Sequence, residues 1–385
     1  MSVNKKMGLK GIRRFLESLF GEDVHAKRVL SLANATLGVL CSASLAVHAI
    51  GQGLAHARGL ITKHAVKQVD RLLSNPGIDV WAYFANWVPY VIGPRQEIYV
   101  AMDWTEFDRD DHSTIALNLI TRHGRATPLL WKSVQKSNLK GNRNRYEDEL
   151  LQRFKEVLPT GVKVTLLADR GFGDQKLFEF LRQSLGFEFI IRIRGNITVT
   201  SAQGESRPAE KWVGKRGRAK LLRNALVTLD SYEVPTVVCV HAKGMKEPWC
   251  LVSSEAEIKA RPVIDGYAKR WRIEPGFRDC KDPRFGMGMS QTRIGSIQRR
   301  DRLFLISAFA TALLTLLGAA GESLGYDRLL KSNTVKKRVH SLFRQGCMLY
   351  ELIPNMPAER LRPLMERFDE MLKEQRVFKD LFGVL

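Results

Sequence analysis

The chain has 385 residues and a large excess of basic side chains. Lys and Arg number 61 against 40 Asp and Glu, which gives a formal net charge of +21 and a pI near 9.9. A hydrophobic fraction of 44% excludes a disordered chain, and the length predicts two or three domains with a sizeable core. Because the excess charge is spread over several segments, it indicates a polyanionic partner and favours nucleic acid over a membrane surface.

Cysteine use and short motifs narrow the class of protein further. The five cysteines include no Cys-x-x-Cys pair, which argues against a cysteine-based zinc site and predicts a reduced, cytoplasmic protein. The chain contains neither the GxxxxGK[ST] motif of nucleotide-binding loops nor the HExxH motif of zinc proteases.

Two basic amphipathic helices are predicted near the N-terminus. In residues 9–20, apolar side chains recur at helical spacing with basic ones between them. In residues 59–76, Lys63, Lys67 and Arg71 recur every four residues beside an apolar face. This cationic stripe suits phosphate groups, and a solvated helix face explains the same pattern. We expect residues 1–94 to be helical.

The pattern changes near residue 97 to short apolar and β-branched segments. Residues 95–194 follow a β-β-β-α-β-α-β order, which predicts a mixed α/β sheet. Residues 195–253 are predicted to be a β-rich insertion. Its run KRGRAK, with Lys215, Arg216 and Arg218, is either a DNA-tracking loop or a charged hairpin tip. Helices return after this insertion.

An uncharged run of 19 residues, 303–321, is long enough to span a bilayer. Ser307, Thr311 and Thr315 dilute its hydrophobicity, and basic residues lie on both sides of it. We therefore predict a buried core helix and no membrane partner. A membrane-associated protein built on this run is a rival interpretation, which partition on cell fractionation would test.

Two aspartates interrupt or end strands of the predicted sheet: Asp103 in YVAMDWT and Asp169 in TLLADRG. A carboxylate on an apolar strand is costly to bury unless it is neutralised, and a metal ion is a natural partner. A strand-end turn or a helix cap is the structural alternative for each aspartate alone. Other acids and histidines in this region are predicted to belong to turns or to the surface: Asp108, Asp110, Asp111, His112 and His123.

A predicted helix beginning near residue 256 carries a third acid among polar and basic side chains. Spacings of 3, 4 and 7 residues place four side chains within about 60° of one face: Tyr267, Arg270, Glu274 and Lys281. The acid would hold a metal ion while the cations take phosphates; chance placement on a solvated helix is the alternative. Pro275 predicts a kink, so the shared face is expected for Tyr267, Arg270 and Glu274 and stays open for Lys281.

Together these residues resemble a known family of bacterial enzymes. Asp103, Asp169 and Glu274, with the spacing Tyr267-x2-Arg270-x3-Glu274-x6-Lys281, are similar to the DDE triad and the tyrosine–arginine–glutamate–lysine signature of the insertion-sequence-four family of transposases. The LADRGFGD segment around Asp169 also resembles this family. The resemblance extends over most of residues 45–310.

The resemblance implies a ribonuclease-H-like mixed-sheet core with a β-rich insertion, flanked by helical N- and C-terminal regions. Residues 1–94 would bind DNA ends, residues 95–194 and 254–322 would form the two parts of the core, and residues 195–253 the insertion. Residues 323–385 would form a helical C-terminal region with a dimerisation surface. An intramolecular helix explains the amphipathic pattern of the tail equally well.

The resemblance also implies a chemistry. The family cleaves DNA at transposon ends and joins the ends to target DNA, and two Mg²⁺ ions, which Mn²⁺ can replace, would be held by Asp103, Asp169 and Glu274 as catalytic and metal-ligating residues. Tyr267 would grip phosphates beside the cleaved bond, as would Arg270 and Lys281. Trp249 is a candidate for stacking a flipped base, with core packing as the alternative.

The implied partners are double-stranded DNA, as transposon ends and as target, and a second copy of the chain in a synaptic homodimer. The implied location is cytoplasmic, at the nucleoid when DNA is bound. A catalytically inactive protein that occupies transposon ends is the rival interpretation. It would share the charge and the DNA binding, so metal-dependent cleavage separates the two.

Overall fold

A ten-stranded sheet organises the protein. The computed structural model describes residues 8–228 and 231–373, so the last residues of the predicted C-terminal region lie outside the described part. The strands run across the sheet in the order β3-β2-β1-β4-β5-β10-β9-β8-β6-β7. In chain order they are β1 (Glu97–Phe107), β2 (His112–Ile120), β3 (Ala126–Gln135), β4 (Lys163–Ala168), β5 (Glu188–Ile193), β6 (Thr198–Thr200), β7 (Ser206–Pro208), β8 (Lys220–Val227), β9 (Tyr232–Val240) and β10 (Trp249–Ser253).

Helices lie before, between and after these strands. Those before the sheet are α1 (Leu9–Phe20), α2 (Ala26–Ser42), α3 (Val47–Arg58), α4 (Thr62–Ser74) and α5 (Val80–Ile92). Those within the core are α6 (Arg143–Val157), α7 (Gln175–Glu179), α8 (Ala260–Ala268) and α9 (Ile273–Lys281). The C-terminal ones are α10 (Ile297–Ser323), α11 (Leu342–Leu352) and α12 (Ala358–Lys373).

Strands β1 to β5 form the mixed sheet that residues 95–194 predict. β2 pairs antiparallel with β1 and β3, whereas β4 pairs parallel with β1 and β5. All nine residues of β2 are buried, as is typical of a strand covered on both faces. Helix α6 joins β3 to β4, and α7 lies between β4 and β5. This topology is a ribonuclease-H-like α/β core with flanking helices, and the predicted fold class is confirmed.

The β-rich segment extends the core sheet instead of forming a sheet of its own. β10 pairs antiparallel with β5, and β9, β8, β6 and β7 follow it outward. The backbone groups on the free side of β5 are thereby paired, which removes an exposed sheet edge at that position. More than fifty residues after β5, the chain returns to the core sheet as β10. The helices that carry the signature residues follow.

The N-terminal residues form α1 to α5, as their helical spacing predicts. In α4, Val69 and Leu72 are buried against the neighbouring helices, and Lys63, Lys67 and Arg71 are exposed. Helix α4 is therefore amphipathic: its apolar side packs against the protein, and its cationic side faces solvent.

Helix α10 contains the uncharged run and is long and apolar enough to cross a membrane by length and composition. In this protein 94% of its most apolar window is buried. Its contact with α11 is so close that a Cβ at Gly318 would collide with the Leu342 carbonyl, and one at Gly346 with the Leu314 carbonyl. The prediction of a buried core helix is confirmed. The GESLG stretch at its end has GxSxG spacing but no strand before it, so it is not a nucleophile elbow.

A buried arginine ties α10 to the turn between β1 and β2. Arg300 is fully buried, pairs with Asp110, donates from Nε to His112 Nδ1 at 3.0 Å and lies 3.9 Å above the Phe107 ring. The prediction of a surface or turn position for His112 is wrong, since this histidine opens β2 and is 1% exposed. Burial and Arg300 lower its pKa, which suits an acceptor nitrogen.

The carboxylate of Asp301 should make the stability of the protein depend on pH. Burial raises its pKa to about 7, although the Ser133 N–H donates to Oδ1 at 3.0 Å. The unfolded chain releases this proton near pH 4, so the folded state loses stability as the pH rises from about 4 to about 7. We expect Asp301→Asn to remove this loss, by about 1.4 kcal/mol for each unit of pKa difference. Denaturant titrations across this range measure it; a difference between wild type and variant that stays constant with pH would contradict the prediction.

Candidate active site

Two aspartates lie side by side on adjacent parallel strands, one within β1 and one directly after the end of β4. In the pairing of β1 with β4, Met102 is opposite Ala168. Asp103 and Asp169 are the residues that follow this pair. Neighbouring strands lie about 4.8 Å apart, and residues in register project from the same face. The register therefore gathers the first two acids that the sequence singles out.

The surroundings of Asp103 disfavour its charged form. The Trp104 N–H donates to Oδ1 at 2.9 Å, and Arg270 Nη1 lies 3.2 Å from Oδ2. Burial nevertheless raises the pKa of Asp103 to about 6, and the charges of Asp169 and Glu274 act in the same direction. The three acids thus repel one another electrostatically, which is the condition that a bound cation relieves.

Asp169 also caps the turn that follows β4. Its Oδ1 accepts a hydrogen bond from the Gly171 N–H at 2.8 Å, as the cap interpretation predicts. This bond uses one carboxylate oxygen, so capping and ligation are compatible. The next residue, Arg170, pairs at 2.8 Å with Glu247, which also pairs at 3.0 Å with Arg192 of β5. The insertion is thereby fastened beside Asp169.

The signature segment is two helices joined by a tight turn, not one helix from residue 256. It begins at Ala260 with α8, continues as a 3-10 turn over Lys269–Arg272, and ends as α9. In an unbroken helix Pro275 would leave the Trp271 carbonyl without a donor, whereas in the first turn of α9 it removes no bond. The break therefore separates Tyr267 from Glu274, while Glu274 and Lys281 share α9, which corrects the expected position of the kink.

Arg270 joins the two sides of the site. Its side chain is 6% exposed, and its guanidinium reaches Asp103 at 3.2 Å and Glu274 at 3.4 Å. The turn before α9 points this side chain inward, toward the strand ends. The arginine thus neutralises two acids of the triad and holds α9 against β1.

The aromatic residues of the site have different exposures. Tyr267 is 1% exposed, and its ring packs edge-on against Trp249 at a centroid distance of 5.0 Å. Trp249 belongs to the packing around β10, in line with the core alternative. Trp271, by contrast, is 46% exposed and lies 5.2 Å from the Arg270 guanidinium. The sequence did not predict this exposure, because the helical position of Trp271 resembled that of a buried residue.

Lys281 lies at the C-terminal end of α9 and contacts β1. Its Nζ donates to Thr105 Oγ1 at 2.9 Å and to the Glu106 carbonyl at 2.7 Å, and lies 4.8 Å from the Phe107 ring. Burial lowers its pKa. The lysine therefore fastens the end of α9 to the outer half of β1.

The remaining predicted cations lie away from this cleft. Lys215, Arg216 and Arg218 are exposed on the loop before β8, where a Cβ at Gly217 would collide with the His241 carbonyl. The α4 cations form a third, separate group. The structure thus brings together the signature residues with both aspartates and leaves the two other basic groups on different elements.

Sequence reasoning also missed Glu147, a buried acid of α6. Its Oε1 accepts from Trp104 Nε1 at 2.8 Å and from Arg143 Nε at 3.2 Å, and burial raises its pKa. It positions the residue next to Asp103. A signal was available, because Glu147 shares helical spacing with the apolar Leu150, Leu151 and Phe154.

An open cleft of about 500 Å³ lies between β1 and α9. Its lining contains both acids and bases together with two hydroxyl groups: Asp103, Trp104, Thr105, Glu274, Phe277, Arg278, Lys281, Asp282, Pro283 and Ser290. The width and polarity suit a phosphodiester chain better than a small apolar ligand.

A family model decides the assignment. The model of the transposase DDE domain matches residues 101–311, more than half of the chain. The chain belongs to the transposase DDE domain family. The matched range begins two residues before Asp103 and ends within α10, so it includes the whole acidic site. No curated protein matches the chain. A transposase domain implies an enzyme that acts on DNA.

Transposases of the DDE type generally use divalent metals. Three carboxylates suit a hard divalent cation that must also bind phosphate oxygens. The pKa of Asp103 is raised mainly by burial, and the charges of Asp169 and Glu274 raise it further. Within residues 8–228 and 231–373, however, no three His, Cys, Asp or Glu side chains lie close enough together to hold a metal ion. Glu274, 48% exposed and bound to Arg270, is the acid that stands apart.

Proposed function

We propose that this transposase belongs to the insertion-sequence-four type, cleaves DNA at the ends of its own element and joins those ends to target DNA. The observation that carries the proposal is the register of β1 and β4, in which Asp103 and Asp169 follow a pair of opposed residues. The charges of Asp169 and Glu274 both raise the pKa of Asp103, which supports a shared acidic site. The spacing from Tyr267 to Lys281 supports the same family.

Asp103, Asp169 and Glu274 would hold Mg²⁺, with Mn²⁺ as a substitute. Two such ions activate the attacking water or 3′-hydroxyl and stabilise the leaving oxygen of an in-line displacement. Glu274 reaches the aspartates by rotation of an exposed side chain, with no change in α9.

The basic residues of the signature would position DNA in the cleft. Arg270 is nearly buried, so it reaches a phosphate only from inside the cleft, after releasing one carboxylate. Lys281 is fixed by Thr105 and contributes a localised positive charge at the C-terminal end of α9. Tyr267 supports Arg270 from behind, where its ring lies 5.8 Å from the guanidinium.

Helices α3 and α4 would recognise the element's ends. They are joined by a three-residue turn whose Gly59 has a φ of 63°, an arrangement typical of helix-turn-helix motifs. The exposed Lys63, Lys67 and Arg71 of α4 would then face the phosphates beside the major groove. The basic loop with Lys215, Arg216 and Arg218 would contact the backbone elsewhere.

The transposase would act as a homodimer that holds two ends. Scattering measurements of molar mass with and without end DNA test this proposal. A DNA complex with the mass of a single protomer bound to a single end would contradict it.

The function is tested with labelled duplex that carries the flanking ends of the protein's own element. We expect cleavage at the end boundary with Mg²⁺, none with EDTA, and weaker binding to unrelated duplex. The variant Lys63→Gln, Lys67→Gln, Arg71→Gln should bind the end duplex more weakly, because it lacks the phosphate contacts that hold α4 against the DNA.

Tight, salt-sensitive binding without cutting in Mg²⁺ or Mn²⁺ would refute the enzyme and favour an inactive protein that occupies ends. Unchanged affinity of the α4 variant for the end duplex would exclude these cations from end binding and leave the catalytic proposal intact.

A further inference from the structure

A compact basic loop joins α10 to α11. Residues 326–341 contain five Lys and Arg side chains and one acid, Asp327. Eight consecutive residues, 332–339, are exposed. These residues include three consecutive basic side chains, 336–338, and no acidic one, so the loop presents mainly positive charge to solvent.

The loop is held in shape by its own side chains. Lys331 Nζ donates to Asp327 Oδ2 at 2.7 Å and to the Lys337 carbonyl at 3.2 Å. The His340 Nε2 lies 3.1 Å from the Leu330 carbonyl. Arg338 Nε donates at 2.8 Å to Glu322 of α10. A loop closed by such contacts is preorganised, which reduces the entropy lost when it binds a partner.

Three cations remain directed outward. Among the residues that the structure describes, the exposed side chains of Arg328, Lys336 and Lys337 form no ion pair or hydrogen bond. Arg328 and Lys336 line a hollow of about 290 Å³ together with Lys331, Ser332, Asn333 and Val335. Cations and small polar groups around a hollow of this size suit a phosphate group.

The loop lies on the same side of the protein as the signature turn. Burial lowers the pKa of His123 to about 3, and the guanidinium groups of Arg125, Arg338 and Arg272 act on it in the same direction. Arg272, in the turn before α9, donates to the Thr121 carbonyl at 2.6 Å. Arg338 of the loop and Arg272 of the signature turn therefore both lie near the β2–β3 turn.

We propose that the loop of residues 326–341 is a second phosphate-binding surface, which holds the backbone of duplex DNA beyond the cleaved bond. The proposal rests on the proposed function for the identity of its ligand. It assigns DNA contact to a region for which the sequence suggested only pairing of protomers. Backbone contact requires no base sequence, so element ends and flanking or target DNA share the chemistry.

The test compares two variants with equal loss of charge. The first is Arg328→Gln, Lys336→Gln, Lys337→Gln. The control replaces three exposed cations of α6, β4 and the helical segment before β5: Lys155→Gln, Lys163→Gln, Arg182→Gln. Binding to labelled end duplex and to unrelated duplex is measured over a range of salt concentrations in EDTA, so no cleavage is needed. Thermal unfolding verifies that both variants are folded.

We expect the loop variant to bind both duplexes roughly ten- to a hundred-fold more weakly at low salt, and the slope of log affinity against log salt to fall by about 0.9 per lost contact. An equal effect of both variants would overturn the proposal, as would a change in protomer association without a change in slope. Weaker binding to the end duplex alone would show that the loop contacts the ends of the element. Weaker binding to both duplexes would show that it contacts the DNA backbone in general. Loss of affinity in a protein that never cleaves would refute the enzyme and leave this surface standing.

Discussion

Replacing Asp169 with asparagine should abolish Mg²⁺-dependent cleavage and leave DNA binding close to that of the wild type. Asparagine keeps the oxygen that accepts from the Gly171 N–H, so the turn after β4 is preserved. It removes the negative charge that the metal site requires. Because a bound metal supplies several kcal/mol of transition-state stabilisation, we expect at least a roughly thousand-fold loss of rate. Single-turnover cleavage of end duplex measures the rate, and a binding titration in EDTA measures the affinity.

Asp174→Asn is the matched control for this substitution. Asp174 lies five residues further on, caps α7 through the Lys176 N–H at 3.0 Å, and asparagine caps helices equally well. The control should cleave at nearly the wild-type rate. If Asp169→Asn cleaves as fast as Asp174→Asn, Asp169 is not part of the catalytic site.

Replacing Arg300 with methionine should destabilise the protein by about 3–5 kcal/mol. The substitution leaves Asp110 without its ion pair and His112 Nδ1 without its donor. Both groups are shielded from water, so solvent cannot replace the lost contacts. Equilibrium denaturant unfolding measures the change in the free energy of unfolding.

The neighbouring Arg299 provides the control. It pairs at 2.7 Å with Asp70, whose side chain is 57% exposed, and such pairs contribute less than about 1 kcal/mol. Arg299→Met should therefore change stability little. Similar losses for the two variants would show that the buried network adds nothing beyond an ordinary surface pair.

Local patterns carried much of the fold. Short segments rich in apolar and β-branched residues predicted strands β1 to β5 in their correct order, and helical spacing predicted α1 and α4. These predictions succeed because side-chain periodicity follows directly from backbone geometry. The predicted burial of α10 was correct as well, since its small and hydroxyl side chains favour packing against protein.

The differences between the predicted and the observed structure arise from contacts between residues that are far apart in the sequence. The β-rich segment joins the core through β10 and β5, which are adjacent in the sheet but 55 residues apart from the end of one to the start of the other. The buried His112 accepts a hydrogen bond from Arg300, which is 188 residues away in the sequence. Neither contact has a local signature, since backbone pairing and buried ion pairs depend on which elements the fold brings together.

The acids and bases of the candidate site were identifiable by residue type and spacing alone, because metal and phosphate chemistry requires carboxylates and cations. The sequence also predicted a break near Pro275, since proline lacks the N–H that an unbroken helix needs, but the structure places the break before α9, at Lys269–Arg272. Tertiary structure alone decided that Asp103 and Asp169 are in register, that Arg270 turns inward between Asp103 and Glu274, and that Tyr267 is buried. Each of these depends on how strands align and how α9 packs on them, and such alignment is set by the whole core rather than by neighbouring residues.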